Sequence, residues 1–124
     1  MASWFKERAT SFRHAIRGIL LVVWTQPNAS IHLVATLAVV LAGIGLNVTH
    51  GEWCALVFAI GLVWVAEALN TAVELLADEV SREQRELIGK AKDVGAGAVL
   101  LASIAAAVIG LVVFVPHLLA LVER

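Results

Sequence analysis

The sequence predicts an all-α integral membrane protein, with three transmembrane helices preceded by an amphipathic helix lying in the interface. Three observations carry this. The hydrophobic fraction is 60% and the charged fraction 15%, against about 45–50% and about 25% in soluble domains. The apolar residues fall in three long runs, at about residues 31–48, 53–77 and 94–122. Each run meets or nearly meets the ~20 residues that cross ~30 Å of hydrocarbon. The segment before them, residues 1–24, mixes cations with apolar groups at helical spacing. A chain of 124 residues makes one domain.

In the first segment Phe12, Ala15, Ile16 and Ile19 share one face, while Arg13, His14 and Arg17 mostly turn elsewhere. That pattern suits a helix in the interface. No cleavable signal is expected, because Lys6, Arg8, Arg13 and Arg17 break up any compact apolar block. Thr25-Gln26-Pro27-Asn28 is expected to turn: Pro27 fixes its own φ and biases Gln26 away from helix. The first span follows. Thr49-His50-Gly51-Glu52 reads as a tight turn into the second span, with Trp53 and Pro116-His117 as interface markers. Residues 78–93 read as a charged loop before the third span. Its glycines lack P-loop spacing, so small residues such as Gly95, Gly97, Ala98 and Ala102 are better read as letting helices approach.

Charge sets the expected topology. Of nine Lys and Arg, Lys6, Arg8, Arg13 and Arg17 precede the first span, and Arg82, Arg85, Lys90 and Lys92 lie in the second loop. The positive-inside rule places the N-terminus and the second loop in the cytoplasm and the C-terminus outside. A net charge of −1 offers no field to recruit nucleic acid. One cysteine, Cys54, leaves no intramolecular disulfide, and four dispersed histidines argue against histidine metal ligation.

The most informative feature is in the second span. Glu67, Asn70, Thr71, Glu74 and Asp78 fall within an arc of about 100°. Glu67 and Glu74 sit two turns apart on that stripe, roughly 10 Å along the axis. A carboxylate in hydrocarbon costs at least ~2.5–3.5 kcal/mol on insertion scales, so it needs partners or a polar cavity. Lys90-Ala91-Lys92-Asp93 returns to the same height, where a nucleotide from water can meet a lipid headgroup. A structural alternative stays open for Glu67: a buried, protonated carboxyl hydrogen-bonded to a neighbouring helix. Asp78, Glu79, Glu83 and Glu86 can equally be a solvated face, and Lys90 a lipid-pairing anchor.

Glu67-Ala68-Leu69-Asn70-Thr71-Ala72-Val73-Glu74, followed by Ala91-Lys92-Asp93-Val94-Gly95-Ala96-Gly97-Ala98-Val99-Leu100, resembles the prokaryotic diacylglycerol kinase family, which includes undecaprenol kinases. Ser11-Phe12, Ala15, Gly18 and Ile31-His32 extend the resemblance over nearly the whole chain. It implies a homotrimeric helical bundle in the bacterial inner (cytoplasmic) membrane, with active sites shared between subunits. It implies phosphoryl transfer from ATP, with Mg²⁺, to the hydroxyl of undecaprenol or diacylglycerol. Glu67 then matches the general base on the lipid hydroxyl, with Asn70 beside it and Ala96 near the lipid. Glu74 matches the carboxylate that holds Mg²⁺ on the ATP phosphates. Lys92 and Asp93 match nucleotide contacts, and Glu83, Gln84 and Arg85 the loop that closes over ATP.

Two positions depart from the family pattern. Gln26 stands where the family usually has a second metal-binding Glu, offering a carbonyl oxygen but no charge. His14 corresponds to a family tyrosine near the nucleotide, and the first-turn arginine is replaced or shifted to Arg8. Two other readings are therefore carried: a non-catalytic or degenerate membrane scaffold, which Gln26 favours, and a small proton- or ion-conducting oligomer. Apart from His117, the outer half of every span lacks ionisable groups, which counts against conduction.

Overall fold

In a computed structural model the described residues, 1–83 and 85–123, form four helices in the order α1 (Ala2–Thr25), α2 (Pro27–Gly45), α3 (His50–Val80) and α4 (Glu86–Val122). No strand occurs among them. The last three are long and apolar enough to cross a membrane, and α1 is the expected separate N-terminal helix.

Each boundary has a local cause. Gln26 alone separates α1 from α2, at φ −91° and ψ 126°. A proline pushes the residue before it out of helical geometry, and Pro27 itself starts α2, where its missing N–H costs nothing. The expected turn over residues 25–28 therefore shrinks to one residue. The first span starts before residue 31 and ends at Gly45. Beyond it Asn47 adopts φ 51°, a left-handed conformation that Asn tolerates better than most residues. The Val48 N–H closes this turn on the Gly43 carbonyl at 3.2 Å.

The expected turn at residues 49–52 is instead the start of α3. Thr49 is its N-cap: the Glu52 N–H donates to Thr49 Oγ1 at 3.3 Å, and the Thr49 N–H donates to Glu52 Oε2 at 2.7 Å. This reciprocal capping box satisfies two amides that a helix start leaves bare.

The charged loop also proves shorter than expected. Helix α3 continues to Val80 and α4 begins at Glu86, so most of residues 78–93 is helical. At 1.5 Å per residue the 31 residues of α3 and 37 of α4 outrun ~30 Å of hydrocarbon. Hydropathy marks where the lipid ends, and these helices continue past it in polar sequence. Lys90 Nζ pairs with Glu86 Oε1 one turn earlier at 2.6 Å, supporting that extension.

Helices α3 and α4 run back to back and make the main interface, while α1 and α2 pack on it sparsely. One buried cluster joins Val63 and Ala66 to Val99 and Ala102. Its small members let the two backbones approach closely, as expected of membrane helices. A second cluster, nearer the α2–α3 turn, joins Val48, Leu56 and Val113. There the Trp53 ring lies against Gly43, where an added Cβ would stand 2.6 Å from the indole. Trp53 is thus a packing residue of the turn. His117, after Pro116, reaches Glu52 at 3.1 Å and ties the end of α4 to the start of α3. Many large side chains, Leu37, Leu41, Phe58 and Leu101 among them, remain exposed on the single chain.

Candidate functional site

The acidic stripe of α3 faces inward. Glu67 and Thr71 are each 1% exposed and Asn70 6%, in a bundle whose other buried side chains are apolar. Their burial follows from the same periodicity that buries Val63 and Ala66, since i, i+3, i+4 and i+7 lie on one face. Of the five residues on the expected stripe, Glu67, Asn70 and Thr71 are buried, Glu74 is half-buried and Asp78 is exposed.

Glu67 turns toward α2. Its Oε2 lies 3.3 Å from His32 Nε2, with the His32 side chain only 13% exposed. The pair sits off the hydrogen-bond line, and neither atom has another hydrogen-bond partner. His32 is itself held in place: Thr36 Oγ1 donates to the His32 carbonyl at 2.7 Å and accepts from Trp64 Nε1 at 3.0 Å. The Trp64 ring stands edge-on to the imidazole, centroids 6.1 Å apart.

Asn70 turns toward α4. Its Nδ2 donates to Glu74 Oε1 at 3.2 Å, orienting that half-buried carboxylate. Its Oδ1 is buried without a partner and faces Gly95, where a Cβ would stand at 2.5 Å. Thr71 Oγ1 donates to the Glu67 carbonyl at 2.8 Å, which ties its hydroxyl to the helix backbone.

Beyond the stripe lies the end of the bundle rich in Lys and Arg. Lys92 Nζ binds Asp78 Oδ1 at 2.6 Å across the α3–α4 seam. A cleft of about 530 Å³ joins these two residues to Glu83, Arg85 and Glu86. Glu83 and Arg85 approach to 3.8 Å, both well exposed. Gln84, expected to close over the nucleotide, lies outside the described residues. Between α3 and α4 runs an open apolar groove of about 820 Å³, lined by Leu69, Asn70, Val73, Val94, Gly95 and Ala98 with Lys90 at its rim. Asn70 thus stands at the junction of greasy and polar surfaces.

Some expected site residues are not gathered by a single chain. His14 is exposed on α1, Gln26 sits at the α1–α2 break, and Asp93 and Ala96 are exposed on α4. Among the described residues no group of three or more His, Cys, Asp or Glu forms a metal cage. Glu74 offers a single carboxylate, the kind of partial ligand set a Mg²⁺ ion completes with substrate phosphates and water. Sequence reasoning missed His32 as the neighbour of Glu67, and Thr36 and Trp64 as the residues packed around His32. The spacing of His32 and Thr36, one turn apart, was the available signal, but nothing local pointed either at α3.

Residues 13–114 match the family profile described as prokaryotic diacylglycerol kinase. The chain is 36% identical over 108 residues to the undecaprenol kinase of Bacillus subtilis, covering 87% of this chain and 88% of that protein. It is 40% identical over 112 residues to a diacylglycerol kinase of Synechocystis sp., covering 90% of this chain and 64% of that one. With the diacylglycerol kinase of Escherichia coli it shares 39% over 75 residues, 60% and 62% of the two chains. An inward acidic stripe beside an apolar groove, in a three-span bundle with this similarity, places the chain in the prokaryotic diacylglycerol kinase family of membrane lipid kinases.

Proposed function

We propose that this protein transfers the γ-phosphate of ATP to the hydroxyl of a membrane lipid alcohol, with undecaprenol the first candidate and diacylglycerol the second. The observation that carries the reading is Glu67: a carboxylate 1% exposed among apolar helices, two turns from Glu74 on one face. Burial of such a group without purpose is costly. The groove beside Asn70 gives a lipid chain access from the bilayer, while the cleft at Lys92 gives ATP access from water. Undecaprenol is preferred because the relative bearing that name is matched over most of both chains.

In this mechanism Glu67 accepts the proton of the lipid hydroxyl as its oxygen attacks the γ-phosphorus. The bond from γ-phosphorus to the bridging oxygen breaks, and ADP leaves. Such transfers need positioning and charge stabilisation more than covalent help. Lys92 supplies positive charge to the phosphates, and Asn70 holds Glu74 in place. Glu74 would hold Mg²⁺, which would supply neutralisation of the phosphate charge.

The basic end of the bundle is the cytoplasmic side in this reading. The C-terminus lies outside, and the membrane is the bacterial inner membrane. A homotrimer fits the sparse packing and exposed apolar side chains of α1 and α2, and it offers a way to bring His14, Gln26 and Asp93 to a site from neighbouring copies. The test is phosphate transfer from labelled ATP in detergent, with each lipid, with and without Mg²⁺. Magnesium-dependent label in undecaprenol is the expected result. Label in neither lipid contradicts the reading.

A further inference from the structure

We propose that His32 is the positioning residue of the candidate base, holding the Glu67 carboxylate by one oxygen and leaving the other free to take the lipid proton. The inference rests on the kinase reading of Glu67 and extends it to a residue on a different helix.

Geometry carries the argument. His32 Nε2 and Glu67 Oε2 are 3.3 Å apart and are buried with no other hydrogen-bond partner. Two orphaned polar atoms at that distance are a pair needing only a small rotation to align. A buried donor or acceptor left unsatisfied is costly, which favours the aligned form. The imidazole is pre-aimed: Thr36 and Trp64 fix its backbone and flank its ring.

No other titratable group competes for Glu67 among the described residues. On its own helix Glu74 is turned to Asn70. Helix α4 presents Val99 and Ala102 to this layer, and α1 brings Val22 and Val23 near Trp64. An Nε2–H donated by His32 satisfies Oε2 and leaves Oε1 to accept the substrate proton. The arrangement has the same logic as other bases whose orientation is fixed by a third group.

A merely structural pair would fill the α2–α3 seam and nothing more, so the test separates stability from turnover. His32→Leu and His32→Gln are compared with wild type as purified full-length protein, with rates normalised to folded protein. For His32→Leu the expected result is kcat lowered roughly 10²-fold, the low end of general-base contributions, with KM for ATP unchanged. His32→Gln, which keeps an N–H donor, is expected to recover most of that loss. Wild-type kcat in the Leu variant, or no recovery in the Gln variant, overturns the proposal.

A second measurement needs no activity. With ¹⁵N-labelled histidine and no nucleotide or lipid, the His32 ring resonances are expected to move on Glu67→Gln. Unmoved resonances overturn the pair itself. If wild-type protein labels no lipid, the kinase reading falls and the positioning role with it, while the resonances still report whether the pair exists.

Discussion

Asn70 lies against Gly95 so closely that a Cβ on the glycine would stand 2.5 Å from its Oδ1 and 3.5 Å from its Cγ. The contact is the point where α4 touches the acidic stripe of α3, and it holds the amide that orients Glu74. Only the absent side chain of Gly95 gives the Asn70 side chain its place.

Gly95→Ala is therefore expected to push Asn70 off Glu74. Alanine gains about 0.8–1.0 kcal/mol in helix propensity over glycine, so stability changes little on balance. Activity should fall roughly 10²-fold, the scale of a misplaced catalytic constellation. Gly97→Ala, with open space around its site, is the control and should retain activity. Steady-state rates and unfolding midpoints in detergent separate the two effects.

Lys92 should act on ATP rather than on the fold. Its bond to Asp78 joins two partly exposed side chains, and such pairs add little stability. Lys92→Gln is expected to raise KM for ATP roughly tenfold or more, with the unfolding midpoint unchanged. An equal midpoint shift and no KM effect would make Lys92 a structural anchor.

The acidic stripe was legible because one helical period places Glu67, Asn70 and Glu74 together on one face. The α3–α4 closeness was legible too, from the small residues around Gly95. The capping box at Thr49 and Glu52 was present as a T-x-x-E spacing but concealed by Gly51, which reads as a turn. The helical extensions beyond Asp78 and before Asp93 were hidden because a run of charge reads as loop, whereas charged residues equally suit a helix leaving the bilayer. The His32–Glu67 approach depends on how α2 settles on α3, and no local pattern encodes that packing.

Thr49 tests the other end of the molecule. Removing its hydroxyl with Thr49→Ala deletes one half of the capping box, at a cost of about 1 kcal/mol. The site lies several turns away along α3, so kcat per folded molecule should stay at the wild-type value. A lowered unfolding midpoint with intact turnover is the expected pair of results, measured on one preparation.

The account depends most on Glu67 as the group that takes the lipid proton. Glu67→Gln keeps size and burial but removes the basic oxygen. The decisive measurement is lipid phosphorylation by this variant beside its binding of ATP and its oligomeric size. The account predicts a rate at least ~10²-fold below wild type, with nucleotide affinity and assembly retained. A rate within a few-fold of wild type would contradict it and leave Glu67 as a buried structural carboxyl.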